Sequence, residues 1–110
     1  MDTSSSVTPP AAVLPAISFE NLASGLGSPL RLRMLREIAT SGSGLLIVEL
    51  SERLGLKATN ASKHMKVLRD HGMVVANRAG MNMIPPGRLV SREEAVIDYG
   101  TCKLRLGGGN

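Results

Sequence analysis

Apolar residues in the first two thirds of this chain recur at helical spacing, and glycines divide them into short blocks. Ser18 precedes Phe19, Leu22, Ala23 and Leu26, which share one face of a short helix from Phe19 to about Leu26, with Gly25 and Gly27 stopping it. Ser28 and Pro29 restart the chain as a helix. Ser28 can accept an orphan N–H, and Pro29 at the first helical position loses no hydrogen bond. This second helix, Pro29 to about Thr40, sets Leu32, Leu35, Ile38 and Ala39 at helical spacing and leaves Arg31, Arg33 and Arg36 mostly off that stripe. After the break Ser41-Gly42-Ser43-Gly44, Ile47, Leu50 and Leu54 mark a third helix, ended by Gly55. A fourth is predicted from about Thr59 to His71, closed by Gly72. Its Ala61, Met65 and Leu68 lie within about 40° of one line at 100° per residue. Thr59, Ser62, Lys63, Lys66 and Asp70 lie opposite.

Past Gly72 the period changes. Val74-Val75 and Met81 to Ile84 are β-like runs around Asn77-Arg78-Ala79-Gly80, a hairpin signal, and Pro85-Pro86-Gly87 ends it. A further β-like segment spans Ala95 to Leu106. Read as one strand, it puts Val96, Cys102, Leu104 and Leu106 on one side and Ile97, Tyr99, Thr101, Lys103 and Arg105 on the other. Residues 1–16, rich in Ser, Thr and Pro, read as a flexible arm, and Gly107-Gly108-Gly109 as a tail. The expected fold is mainly α with a small β-hairpin, a winged helix-turn-helix with an extra C-terminal β segment. The expected divisions are an arm (1–16), the winged helix-turn-helix (17–86) and a C-terminal β segment with its tail (87–110).

Composition narrows the function. A chain of 110 residues, 43% hydrophobic and 20% charged, is long enough for one folded domain. Its net charge of +4 suggests a polyanionic partner. The only aromatic residues are Phe19 and Tyr99, which argues against a single-strand binder that stacks bases on aromatic platforms. One cysteine, Cys102, allows no internal disulfide and fits a reducing, cytoplasmic setting; within a strand it reads as a small buried hydrophobe. No apolar run is long enough for a membrane span, and the N-terminus lacks the pattern of a signal peptide. No enzyme is expected: the chain has no Gly-rich phosphate loop and no nucleophile–base pair within one motif.

Two helices joined by Gly55-Leu56, the second basic on its outer face and followed by a hairpin, make a helix-turn-helix with a wing. A helix fits the major groove of B-DNA and reaches base edges with its outward side chains, while lysines neutralise phosphates. Residues 57–71 hold Lys57, Lys63, Lys66 and Arg69 against one acid, Asp70. A basic helix face alone is usually a solvated face. The order and spacing of SPLRLRMLREI (28–38), ELSERLGL (49–56), NASKHMKVLRDHGMV (60–74) and NRAG (77–80) are more specific. Over Leu26 to Pro85 the chain resembles the ArsR-type (arsenic-repressor-like) winged-helix transcriptional regulators.

That resemblance implies a homodimer that represses transcription from double-stranded operator DNA. Its recognition helix falls on residues 59–71. Thr59, Asn60, Ser62 and Lys63 would face the groove, with His64 and Lys66 near phosphates; Lys57 and Arg69 complete the basic set. Arg78 on the wing would enter the minor groove or contact a phosphate. Arg31, Arg33 and Arg36 would touch the DNA backbone or simply keep the domain soluble. His64 is otherwise read as a packed histidine and not a metal ligand. The chain also departs from the family. Lys57 stands where Ser often caps the recognition helix; lysine cannot accept that bond, so Thr59 would cap and the helix start later. Leu46 and Val48 replace the metal-binding cysteines, so no metal or other cofactor is expected. The C-terminal dimerisation helix is missing. Phe19, Leu22 and Leu26 of the first helix, with Tyr99 and Leu104 of the β segment, are the expected dimer contact. The competing reading is a winged-helix protein-interaction module without specific DNA binding.

Overall fold

Serines and a glutamate start the helices where the apolar periods begin. The computed structural model describes residues 14–107, and its first helix, α1, is Phe19–Leu26. Ser18 Oγ accepts the Asn21 N–H at 3.1 Å. The second, α2, is Pro29–Ser41, with Ser28 Oγ accepting the Arg31 N–H at 3.3 Å and Pro29 in the first turn. The third, α3, is Ile47–Leu54, and Glu49 Oε1 accepts the Leu46 N–H at 2.8 Å. The fourth, α4, is Ala58–Asp70. Met34, Leu35, Ile38, Leu50, Met65 and Leu68 pack between these helices with 2% exposure or less.

The face of α1 is narrower than its sequence suggests. Leu22 and Gly25 are buried and Leu26 is half-buried, but Ala23 is exposed and Phe19 is 67% exposed. Gly25 does not stop the helix. It lies inside it, and a Cβ there would meet Met73 Sδ at 2.6 Å.

The hairpin strands are β1 (Val75–Ala76) and β2 (Asn82–Met83), antiparallel with Val75 opposite Met83. Leu45, just before α3, joins β2 as a further bridge: its N–H donates to Asn82 O at 3.0 Å and its carbonyl accepts the Asn82 N–H at 2.8 Å. The wing is thereby sewn to the helices at its root.

The C-terminal segment is not one strand. It forms a three-stranded antiparallel sheet of β3 (Leu89–Ser91), β4 (Val96–Asp98) and β5 (Lys103–Arg105). The Tyr99 N–H closes the β4–β5 turn onto Cys102 O at 2.9 Å. This turn reverses the parity of the faces, because Ile97 pairs with Leu104 and directly opposed residues share a side. The core side therefore carries Ala95, Ile97 and Tyr99, each fully buried, with Leu104 and Leu106 packed against the same cluster. Ile97 and Tyr99 were expected on the side away from Leu104. Cys102 sits in the turn and is exposed, contrary to its reading as a buried hydrophobe.

Part of the expected arm lies outside the described residues (1–13), as do tail residues 108–110. Leu14 to Ile17 run against the β4–β5 turn. The Ile17 N–H donates to Tyr99 O at 2.9 Å, and the Thr101 hydroxyl donates to Ile17 O. Gly100 has φ +85°, and a Cβ there would stand 2.7 Å from Ala16 Cα. Arg88, only 6% exposed, donates from Nη2 to Pro15 O at 2.6 Å and from Nη1 to Asp98 O at 3.3 Å. The end of the arm is a strap across the sheet. The whole is mainly helical, with a β-hairpin and a separate small sheet.

Candidate nucleic-acid interface

The angle between α3 and α4 is set by one left-handed residue. Gly55 has φ 67° and ψ 37°, a conformation that glycine adopts without steric penalty. Its N–H and that of Leu56 return to carbonyls in the last turn of α3, Leu56 to Ser51 O at 2.8 Å. α4 then begins at Ala58, with Lys57 in the capping position and no side-chain hydrogen bond there. The expected late start with Thr59 as the cap is corrected: Thr59 is the second residue of the helix. Its first-turn N–H groups take no side-chain partner from Lys57, which has no acceptor.

Ala61, Met65 and Leu68 are fully buried and fix the inner side of α4. At 100° per residue the line opposite them runs through Thr59, Lys63, Lys66 and Asp70, with Ser62 on one flank and Asn60 on the other. Thr59, Asn60, Ser62, Lys63 and Lys66 are all exposed, as is Lys57 at the helix start. Lys66 Nζ is 2.9 Å from Asp70 Oδ2, so the lower end of this line is an ion pair. Arg69 is exposed overall, yet its Nη1 donates to Asn82 Oδ1 at 3.3 Å and ties α4 to the root of the wing. Arg78 is exposed at the tip of the wing. The tip is shaped by Asn77, whose Oδ1 accepts the N–H groups of Ala79 (2.9 Å) and Met81 (3.0 Å).

Comparison with known proteins meets this geometry. Residues 26–75 match a family model described as a helix-turn-helix domain. The α3–turn–α4 unit has the helix-turn-helix arrangement. The match runs from the end of α1 to the first residue of the wing and contains the whole α3–turn–α4 unit. A 58-residue stretch is 38% identical to a peptidyl-tRNA hydrolase of Mycobacteroides abscessus, taking in 52% of this chain and 30% of that protein. The chain thus spans less than a third of the length of that relative. No solved structure matches it.

Within the helix-turn-helix domain, sequence reasoning missed a clamp. Arg31 of α2 donates from Nε to Gly25 O at 2.7 Å and from Nη2 to Ser24 O at 3.0 Å, gathering carbonyls at the end of α1. Its Nη1 lies 3.0 Å from His64 Nδ1 on α4. Guanidinium has no acceptor, so Nδ1 accepts and the neutral ring carries its proton on Nε2. Arg31, left open between DNA backbone and solubility, is a link between α1, α2 and α4, and His64 is its half-buried partner. A proline-started helix with an arginine at its third position gave no sign of this, because both partners are remote in the chain. Asn82 was missed too. It is 2% exposed, and its Nδ2 donates to Leu45 O at 3.1 Å.

Two residues expected at a dimer contact, Leu22 and Tyr99, are 5% and 0% exposed within the single chain and so are not available as a surface. Phe19 is exposed; Leu26 and Leu104 are half-buried. Leu46 is half-buried and Val48 is 52% exposed. Among the described residues no three His, Cys, Asp or Glu side chains come together in a way that could hold a metal ion. Among the same residues no helix is long and apolar enough to cross a membrane.

Proposed function

We propose that this chain is a transcriptional regulator of the ArsR type, a repressor that binds operator DNA as a homodimer. The outward line of α4 carries the reading: Thr59 and Lys63, flanked by Asn60 and Ser62, are exposed on a helix whose opposite side is fully buried. In this reading α4 lies in the major groove. Asn60 and Ser62 meet base edges, and Lys57, Lys63 and Lys66 meet phosphates. Arg78 at the wing tip takes the backbone or the minor groove. Support comes from the matched helix-turn-helix family, which falls in the arsenic-repressor-like clan. The dimer would place two copies of α4 about one DNA turn apart. Its contact is assigned to exposed Phe19 and half-buried Leu26, at the two ends of α1.

The test is selection of a duplex from a random library, followed by binding across a salt series. Log K should fall linearly with log salt, and Lys63→Ala should lower the slope by about 1. Asn60→Ala should cost about 1–3 kcal/mol on the selected site. No duplex affinity even at low salt would replace this reading by a protein-interaction module. The reading assigns no catalysis; hydrolysis of peptidyl-tRNA by the purified chain would contradict it.

A further inference from the structure

Arg31 is held at three points by two other elements. Its Nε and Nη2 donate to Gly25 O at 2.7 Å and Ser24 O at 3.0 Å in the last turn of α1, and its Nη1 meets His64 Nδ1 on α4 at 3.0 Å. A guanidinium is planar, so bonds from all three nitrogens fix its plane as well as its place. The carbonyls that close α1 lack partners within their own helix, and Arg31 supplies donors for two of them. The joint thereby sets α4 against α1 and α2, beside the residues proposed to read DNA: Asn60 stands one turn before His64, and Lys63 directly precedes it.

The α4 end of this joint depends on a proton. Guanidinium only donates, so Nδ1 must be bare. A proton there would set donor against donor, and one positive charge against another, at 3.0 Å. No acid offsets this. Among the described residues no carboxylate pairs with His64. The acids of α3, Glu49 and Glu52, are exposed, and the one acid of α1, Glu20, lies in its first turn. On α2, Glu37 faces Arg53, while Arg33 and Arg36 leave the helix about 200° and 140° round from Arg31. On α4 itself the positions three and four residues away, Asn60, Ala61, Val67 and Leu68, carry no charge. The other histidine, His71, follows about two turns on along nearly the same line, its Nε2 buried and without a partner.

We propose that Arg31 is a positioning residue for α4, holding that helix in its reading orientation only while His64 is neutral. The proposal rests on the reading of α4 as the DNA-contacting helix. Arg31 itself touches no phosphate; it acts through His64 and the end of α1. The direction follows from the bond. An imidazole changes charge between about pH 5 and pH 8, so the link is present toward the upper value and is lost toward the lower.

The joint is read first without DNA. A double-mutant cycle of Arg31→Ala and His64→Ala, followed by urea unfolding of the full chain, isolates the pair. The bonds to α1 and the protonation of His71 are common to both arms and cancel. At about pH 8 the coupling should change the unfolding equilibrium constant about five- to tenfold, and at about pH 5.5 it should vanish or reverse. The selected duplex then reads the positioning. At about pH 8 Arg31→Ala should weaken its binding about tenfold with the salt slope unchanged, and at about pH 5.5 parent and variant should bind alike. Both chains gain the same charge on His64, so the comparison removes its attraction to DNA. Arg31→Lys keeps the charge without the fork and should bind like Arg31→Ala. A salt slope lower by about 1 would make Arg31 a phosphate contact and overturn the proposal. So would an Arg31→Lys chain that binds like the parent, a loss that persists in acid, or a coupling equal at both pH values. The coupling also tells two failures apart: pH-dependent coupling in a chain that binds no duplex overturns the reading of α4 and keeps the joint.

Discussion

Asp70 is the one acid on the outward line of α4, where it neutralises Lys66 at 2.9 Å. Replacing it by asparagine removes a negative charge from the side proposed to face a polyanion and releases the lysine. Asp70→Asn should tighten duplex binding about two- to fivefold at low salt, the gain shrinking as the Debye length falls. The stability cost should stay below about 0.5 kcal/mol, since the pair is exposed and an aspartate in the last turn opposes the helix dipole. Fluorescence anisotropy on the selected duplex at two salt concentrations checks both directions. Tyr99 is a different kind of residue. It is fully buried, and its hydroxyl has no hydrogen-bond partner among the described residues. Tyr99→Phe should therefore raise stability by about 1 kcal/mol in urea unfolding. Burial raises the pKa of its phenol, the neighbouring Cys102 adds to the rise, and Arg88 partly offsets it. Because the folded value is raised, the contribution of the neutral phenol is fully present below about pH 10 and is lost as pH climbs through the folded value. As the only tyrosine in the chain, it should show its phenolate absorbance only as the fold opens. Phenolate absorbance near pH 10 with the fold intact would contradict this. Tyr99→Phe should also flatten the loss of stability in alkali.

Elements that owe their form to local rules were legible in the sequence. The third helix was predicted at Ile47–Leu54 and is found there, because Gly55 can only end it and Ile47, Leu50 and Leu54 recur at its period. The inner and outer sides of α4 were legible for the same reason: one period fixes both. Parity failed in the C-terminal segment. A strand reading assigns sides by odd and even number, and a turn at residues 99–102 changes the count, so Ile97 and Leu104 met where they were expected apart. Links between elements were invisible. Nothing near Asn82 in the chain announces a buried amide holding Leu45 and Arg69, 37 and 13 residues away. That link gives an element-scale expectation. Asn82→Ala should cost about 1–3 kcal/mol by losing the amide's bonds and leaving a gap beneath the wing. The loss should show in amide NMR first at Leu45 and at Asn77 to Met81, with the α1–α2 contact unchanged.

For the molecule as a whole, the exposed Phe19 is the feature its own fold does not use. A phenyl ring 67% exposed at the start of α1, with half-buried Leu26 at the other end of the same helix, is the surface assigned to the partner copy. Phe19→Glu leaves the core untouched and should turn a micromolar dimer into a monomer by sedimentation. It should also weaken operator binding, because a monomer loses the second half-site. A Phe19→Glu chain that still sediments as a dimer would move the contact elsewhere. The sheet cannot be removed as cleanly, since Ala95, Ile97 and Tyr99 share one core with the helices. A chain cut after Pro86 would uncover that core and should lose cooperative unfolding.

The strap has a kinetic consequence. Ile17 exchanges two hydrogen bonds with the β4–β5 turn, giving its N–H to Tyr99 and taking one from Thr101, 84 residues along the chain. Such a contact closes nearly the whole chain into a ring, and ring closure over that distance carries an entropy that neighbouring contacts do not. The helices can form from nearby contacts, whereas the strap must wait for the last strands. It should dock late in folding and open early under native conditions, but as a single event with the turn it touches. Amide hydrogen exchange would therefore find Ile17 and Asp98 trading deuterium at one common rate, although they stand near opposite ends of the sequence. Residues of α2 between them should exchange far more slowly. An Ile17 amide that exchanged as in free chain, with Asp98 still protected, would mean that the strap opens without the sheet.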